Sequence, residues 1–160
     1  MIFWFFNLTW IYWVCSQKHF TQHNIRNSII GTKFICTIDE TNAIADQSLY
    51  VAVPFEESKT DLHSFLAVLN SKLYGFFFRK FYSEEDDLFP KIKVNELKRL
   101  PYKPPNKEIE NRLIELARKI ISLKKENQVT NVSDLENEID QLVYQLYGLT
   151  EEEIAIIESA

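Results

Sequence analysis

Residues Leu62 to Phe81 place the hardest constraint on this chain. Leu62, Phe65, Leu66, Leu69, Leu73, Phe76 and Phe77 recur at i, i+3, i+4 and i+7, the period of a helix face. Phe78 and Phe81 widen that face until little polar surface is left. A helix this apolar must be covered on most sides. The chain has the material to do so: 46% of its 160 residues are hydrophobic and 14% aromatic. Asp61 suits the N-cap. The spacing predicts one helix over Leu62–Phe81, with its aromatic side chains in a core and not offered as a stacking platform for bases.

The residues before this helix read as sheet. Met1–Val14 is apolar except for Asn7 and Thr9. It is shorter than the roughly 20 residues of a membrane span. It also lacks the basic start and small-residue cleavage site of a signal peptide. A buried strand pair fits it best. A membrane or signal segment and an aberrant start inside or upstream of a larger reading frame are the other readings. Residues 18–27 are polar and turn-like. Ser28–Ile38 is β-branched and aromatic, Asp39–Asn42 reads as a turn, and residues 43–53 resume the strand pattern before Pro54. These predict a β-hairpin or two adjacent strands.

The residues after it divide into a basic segment and a helical part. An acidic turn spans Ser83 to Asp87. In Phe89–Val94, Ile92 and Val94 alternate with Lys91 and Lys93, as in a half-buried strand with a basic face. Leu97 and Leu100 continue its apolar side, and Pro101, Pro104 and Pro105 exclude helix there. Next, Ile109, Leu113, Leu116, Ile120 and Leu123 follow heptad spacing, and Leu135, Ile139, Leu142, Leu146 and Leu149 repeat it. Ser133 with Glu136 reads as a capping box, Gly148 suits a C′ position, and Thr150 with Glu153 opens a short last helix. The two matched seams predict an antiparallel, coiled-coil-like helical hairpin. Lys119, Lys124 and Lys125 are expected to face Glu136, Glu138 or Asp140.

Charge and motif content narrow the chemistry. The net charge is −5, yet Lys91–Lys103 holds five basic residues against one acidic, and from Glu126 onward there are nine acidic residues and no Lys or Arg. A non-specific nucleic-acid binder is usually basic overall, so contact with DNA would have to run through a local patch. Three glycines cannot build a phosphate-binding loop. His19 and His23 lack a third ligand at metal spacing. Asp87 with Glu96-Leu97-Lys98 imitates a metal-dependent nuclease motif, but it is short and Glu96 equally suits a solvated turn. Cys15 and Cys36 form no framework, which makes a reducing, cytoplasmic setting the default. The positive signal is the cluster Lys91, Lys93, Lys98, Arg99 and Lys103, residue types that neutralise phosphates on a duplex. Composition alone also fits a solvated face.

Three segments carry a family resemblance. They are Ala67-Val68-Leu69-Asn70-Ser71-Lys72-Leu73-Tyr74, then Phe78-Arg79-Lys80, then Phe89-Pro90-Lys91-Ile92-Lys93-Val94-Asn95-Glu96-Leu97-Lys98-Arg99-Leu100-Pro101. Together they resemble the TaqI-like C-terminal specificity domain, the target recognition domain of adenine-specific DNA methyltransferases and restriction–modification enzymes. The segment Glu138 to Ile154 and the stretch from Ile38 to Val51 are similar to the same group, so the likeness runs over about residues 25–157, and the residues before about Arg26 match nothing. The helical hairpin resembles the spacer helices of type I specificity subunits. Where relatives often carry glycine after Ser83, this chain has Glu84-Glu85-Asp86-Asp87, which would repel phosphates.

The resemblance implies an α+β fold with a partial target recognition domain over residues 1–104 and a docking hairpin over 105–160. It implies sequence-specific recognition of double-stranded DNA within an adenine-N6 methyltransferase system. No catalytic residue, metal or cofactor is expected in this chain, which would be a C-terminal fragment. S-adenosylmethionine would belong to a separate methyltransferase catalytic domain or subunit. The DNA-binding candidates are Lys91, Lys93, Lys98, Arg99 and Lys103, joined by Arg79, Lys72 and Asn70. The interaction seam is the two heptad sets named above. The alternative, from another class, is a coiled-coil interaction module with no DNA role. No membrane partner is expected.

Overall fold

The computed structural model describes residues 11–14, 24–30, 33–39, 50–54, 60–82 and 97–160. The fold is α+β. Four strands, β1 (Ile11–Val14), β2 (Asn24–Ile30), β3 (Lys33–Asp39) and β4 (Tyr50–Pro54), form one sheet in the order β1-β4-β2-β3. Every neighbouring pair is antiparallel. Five helices follow: α1 (Leu62–Asn70), α2 (Lys72–Tyr82), α3 (Lys107–Glu126), α4 (Ser133–Tyr147) and α5 (Glu151–Glu158).

The sheet departs from the expected pairing in two places. The run Ser28–Ile38 is not one strand; it is divided between β2 and β3, which pair from Asn24↔Asp39 to Ile30↔Lys33. Gly31 is the break signal inside that run. Asn24 to Asn27, expected as turn, belong to β2, because β2 is hydrogen-bonded on both sides and its ladder outweighs the polar composition. As a result β4 pairs with β2 and not with β3. The apolar start contributes β1, which pairs with β4 from Ile11↔Pro54 to Val14↔Val51. Residues 1–10, the acidic turn and the expected strand Phe89–Val94 lie outside the described residues.

α1 is the centre of the packing. Six consecutive residues, Ser64 to Leu69, are buried, the mark of a helix enclosed all round. It lies against β3 on one side and α3 on the other. Asp61 caps it as expected, its carboxylate accepting from the His63 amide at 2.8 Å. The predicted single helix Leu62–Phe81 is two helices, because Ser71 adopts an extended conformation (φ −66°, ψ 155°). The Ser71 hydroxyl donates to the Val68 carbonyl at 2.7 Å, a local bond that competes with the helical ladder.

Asn70, the last residue of α1, turns the break into a joint with the sheet. Its Oδ1 accepts from the Cys36 amide at 2.7 Å, and its Nδ2 donates to the Cys36 carbonyl at 2.9 Å. One side-chain amide thereby satisfies both outward backbone groups of a residue in β3, much as a neighbouring strand would. Covering an edge in this way blocks pairing with other chains.

The C-terminal helices belong to the same core. Ile109, Leu113 and Leu116 of α3 and Ile139, Val143 and Leu146 of α4 form one buried cluster with Phe65, Leu66 and Leu69 of α1 and with Cys36 and Ala52 of the sheet. The proline stretch at residues 101–105 therefore links parts of one core. Asn106 caps α3, its side chain accepting from the Ile109 amide at 2.9 Å. The expected capping box at Ser133 is absent: Val132 is the N-cap and Asn131 Oδ1 accepts from the Ser133 amide and hydroxyl. The box at Thr150 and Glu153 is present in both directions, and Gly148 takes the left-handed C-cap conformation (φ 67°). Between α3 and α4, Arg112 pairs with Glu138 at 2.6 Å. Lys124 instead donates to the carbonyls of Gln128 and Thr130.

A core shared across residue 104 predicts one unfolding transition. Leu113 has 0% exposure, so Leu113→Ala should cost about 2–5 kcal/mol. Urea denaturation followed by far-ultraviolet and near-ultraviolet circular dichroism should show coincident curves, both displaced by the substitution.

Candidate nucleic-acid interface

The basic segment is built by anchors that alternate with cations. Leu97 and Leu100 are buried at 0% and 3% exposure, while Lys98 and Arg99 between them are exposed. The Leu100 amide donates to the Leu97 carbonyl at 3.3 Å, closing a tight turn that pushes the two cations outward. Tyr102 is again buried, its ring edge-on to Phe65 at 5.0 Å, and the next residue, Lys103, is exposed. Burial pushes the Tyr102 phenol above its ordinary range.

A tyrosine from α4 fastens this segment. The Tyr147 hydroxyl donates to the Pro101 carbonyl at 2.8 Å and accepts from the Lys103 amide at 3.0 Å. It also shares a hydrogen bond of 2.9 Å with the buried Tyr74 hydroxyl of α2, whose ring meets it edge-on. Burial raises both phenols, which keeps them neutral and able to donate. Sequence reasoning missed Tyr147 and Tyr74, since nothing in heptad spacing marks a buried hydroxyl as a tie to a distant loop.

The eight DNA-binding candidates therefore fall into three groups. Lys98, Arg99 and Lys103 lie exposed on one short segment. Lys91 and Lys93 lie outside the described residues. Asn70, Lys72 and Arg79 are engaged within the fold. Asn70 clamps β3 as described above. Arg79 reaches the Ala160 carbonyl at 3.5 Å. The Lys72 ammonium lies 2.7 Å from Glu158 and 3.7 Å from Asp140. The Lys72 amide, at the start of α2, donates to Asp140 Oδ1 at 2.8 Å.

Asp140 sits at 4% exposure and acts as a distant N-cap for α2. Its burial raises its pKa, opposed by the bonds from Lys72. Glu158 is lowered, first by its hydrogen bond from Lys72, and Lys72 is raised by the same bond. The seam residues lie inside the chain's own packing: Ile109, Leu113, Leu116, Ile139 and Leu146 are buried, while Ile120, Leu123, Leu135, Leu142 and Leu149 are half-buried. An open cleft of about 420 Å³ between β3, α1 and α3 is lined by Ile38, His63, Arg118 and Lys125, with Ile121 and Ser122. Among the described residues, no group of three or more His, Cys, Asp or Glu is placed to hold a metal ion. Nor is any helix among them long and apolar enough to cross a membrane.

A family model described as the TaqI-like C-terminal specificity domain matches residues 7–102. The chain belongs to this family. The match starts and ends before the likeness read over about residues 25–157, and it lies within the residues 1–104 expected for the recognition domain. It takes in β1, whose sequence had matched nothing by inspection, and it stops at the basic segment, before α3. Membership makes the chain a DNA-specificity module of the methyltransferase type. No curated protein matches the chain.

The Lys72–Asp140–Glu158 group yields two expected outcomes. Asp140→Ala leaves the Lys72 amide without its acceptor and should cost roughly 1–3 kcal/mol. Asp140→Asn keeps an acceptor oxygen and removes the buried charge, so it should cost less; urea midpoints compare the two. Glu158 is held below the ordinary carboxylate range, so its contribution is full above the unfolded value and is lost as pH falls through the lowered folded value. Asp140 is shifted the opposite way, by its burial, so its protonation on acidification favours the fold. Both Lys72 and Glu158 are more than a third exposed, so Glu158→Gln should lose less than about 1 kcal/mol at neutral pH. That deficit should vanish in acid beyond the lowered Glu158 range, read from thermal unfolding at each pH.

Proposed function

We propose that this chain is the sequence-recognising module of a restriction–modification adenine-N6 DNA methyltransferase. It acts with a methyltransferase catalytic domain that holds S-adenosylmethionine. One observation supports this above the others: within the matched family region, Leu97 and Leu100 are driven into the core, so that Lys98 and Arg99 stand exposed together, with Lys103 just beyond. Such an arrangement suits contacts to consecutive phosphates, which set register on a duplex. Lys91 and Lys93 extend the same basic stretch in sequence. Arg79, Lys72 and Asn70 serve this role indirectly, by holding α1, α2 and β3 in place.

A coiled-coil docking role without DNA has less support, because the best seam residues are spent inside the chain's own core.

The test is duplex binding across a salt series. Each phosphate neutralised contributes about 0.9 to the slope of log affinity against log salt. Charge reversal of Lys98, Arg99 and Lys103 to Glu should lower that slope by about two to three and weaken binding to all sequences alike. Unchanged duplex affinity in the triple variant would rule out this patch.

A further inference from the structure

We propose that Tyr147 is the positioning residue of the basic turn, placing Lys98, Arg99 and Lys103 for phosphate contact from a helix outside the family region. This rests on the proposed DNA role of those three residues.

Backbone chemistry makes the tie necessary. Between Pro101 and Pro105, three of five residues are proline and have no amide hydrogen. The Tyr102 amide already donates to Leu100 at 2.9 Å. The Lys103 amide is the donor that remains, and it goes to the Tyr147 hydroxyl. A phenol has one hydrogen to donate and two lone pairs to accept. Tyr147 uses all three: it donates to Pro101 and accepts from Lys103 and Tyr74. The hydroxyl therefore fixes the backbone on both sides of Tyr102, the exit of the Lys98-Arg99 turn. Buried Leu97 fixes the entrance.

The family match ends at residue 102 and Tyr147 stands 45 residues beyond it. The matched region thus lacks the group that holds its own basic turn. Tyr74 sits inside the match and is hydrogen-bonded to Tyr147, so the contact joins the matched region to the later helices through two hydroxyls.

The experiment uses the full chain and a random-sequence duplex over a salt series, with amide hydrogen exchange as a second readout. Tyr147→Phe keeps the ring and removes the three hydrogen bonds. It is expected to speed exchange at the Lys103 amide and to lower the salt slope by about one to two. Combined with Lys98→Glu, Arg99→Glu and Lys103→Glu, it should add no further loss of affinity, because Tyr147 acts through those three cations. Val143→Ala, a buried substitution on the same helix away from the hydroxyls, should lower stability and leave the salt slope unchanged. If Tyr147→Phe speeds exchange but leaves the slope at the wild-type value, the tyrosine is a structural strap and the proposal fails. Additive loss in the combined variant overturns it as well. If the triple charge reversal alone leaves binding unchanged, the proposed interface itself has failed, a result separate from these two.

Discussion

The joint at Ser71, where a helix buried through its middle meets the next helix inside the fold, is what the rest of the molecule depends on. α1 is covered by β3 and α3, and its C-terminus meets the start of α2 at Ser71, which is itself buried. The last carbonyls of one helix and the first amides of the next are therefore left inside the protein, where an unsatisfied group costs about 1–3 kcal/mol. Ser71 and Asp140 resolve this, and Asn70 ties the same joint to the sheet. Ser71 turns back on Val68, Asn70 reaches out to Cys36, and Asp140 comes across from α4 to take the Lys72 amide. The joint holds sheet, central helix and C-terminal helices in one arrangement.

That joint ties residues beyond the family region to those within it. α4 supplies Asp140 to the start of α2 and Tyr147 to the proline strap, while α3 covers the open side of α1. A heptad pattern on α3 and α4 would serve a partner chain equally well. Here the large apolar side chains meet α1 instead, since α1 would otherwise expose Leu66 or Leu69 to water at roughly 1.5–3 kcal/mol each.

Much of this was legible from local rules. The period of Leu62–Phe81, the caps at Asp61 and Thr150, the left-handed Gly148 and the extent of α3 follow from residues within a turn or two of one another. The errors share a different cause. Ser133 loses its capping role to Asn131, two residues earlier, and the single long helix breaks at Ser71 because its competing bonds are met by β3 and α4. Strand order failed for the same reason: β2 separates β3 from β4, and only long-range pairing decides that. At the candidate interface, Lys98, Arg99 and Lys103 were marked by composition, and the resemblance added Lys72 and Asn70. Telling the first three from polar groups engaged within the fold required knowing where Asp140, Glu158 and Cys36 lie.

On the proposed role, the same sorting bears on how an acidic chain can carry a basic contact. Net charge acts at long range, and at physiological salt it is screened beyond about 8 Å. What matters to a phosphate is the charge within that distance and whether it is already neutralised. Lys72 is spent on Glu158 and Asp140, and Arg112 on Glu115 and Glu138. The acidic C-terminal helices thus answer in part to cations of their own fold. Lys98 and Arg99 escape that fate because Leu97 and Leu100 bury the backbone on either side of them, and Lys103 because its own backbone is tied down at Tyr147. On the proposed role, the anchors matter as much as the cations: a lysine on a loose proline strap is free to fold back onto the nine carboxylates that follow Lys125, whereas one held at both ends of its turn must face outward.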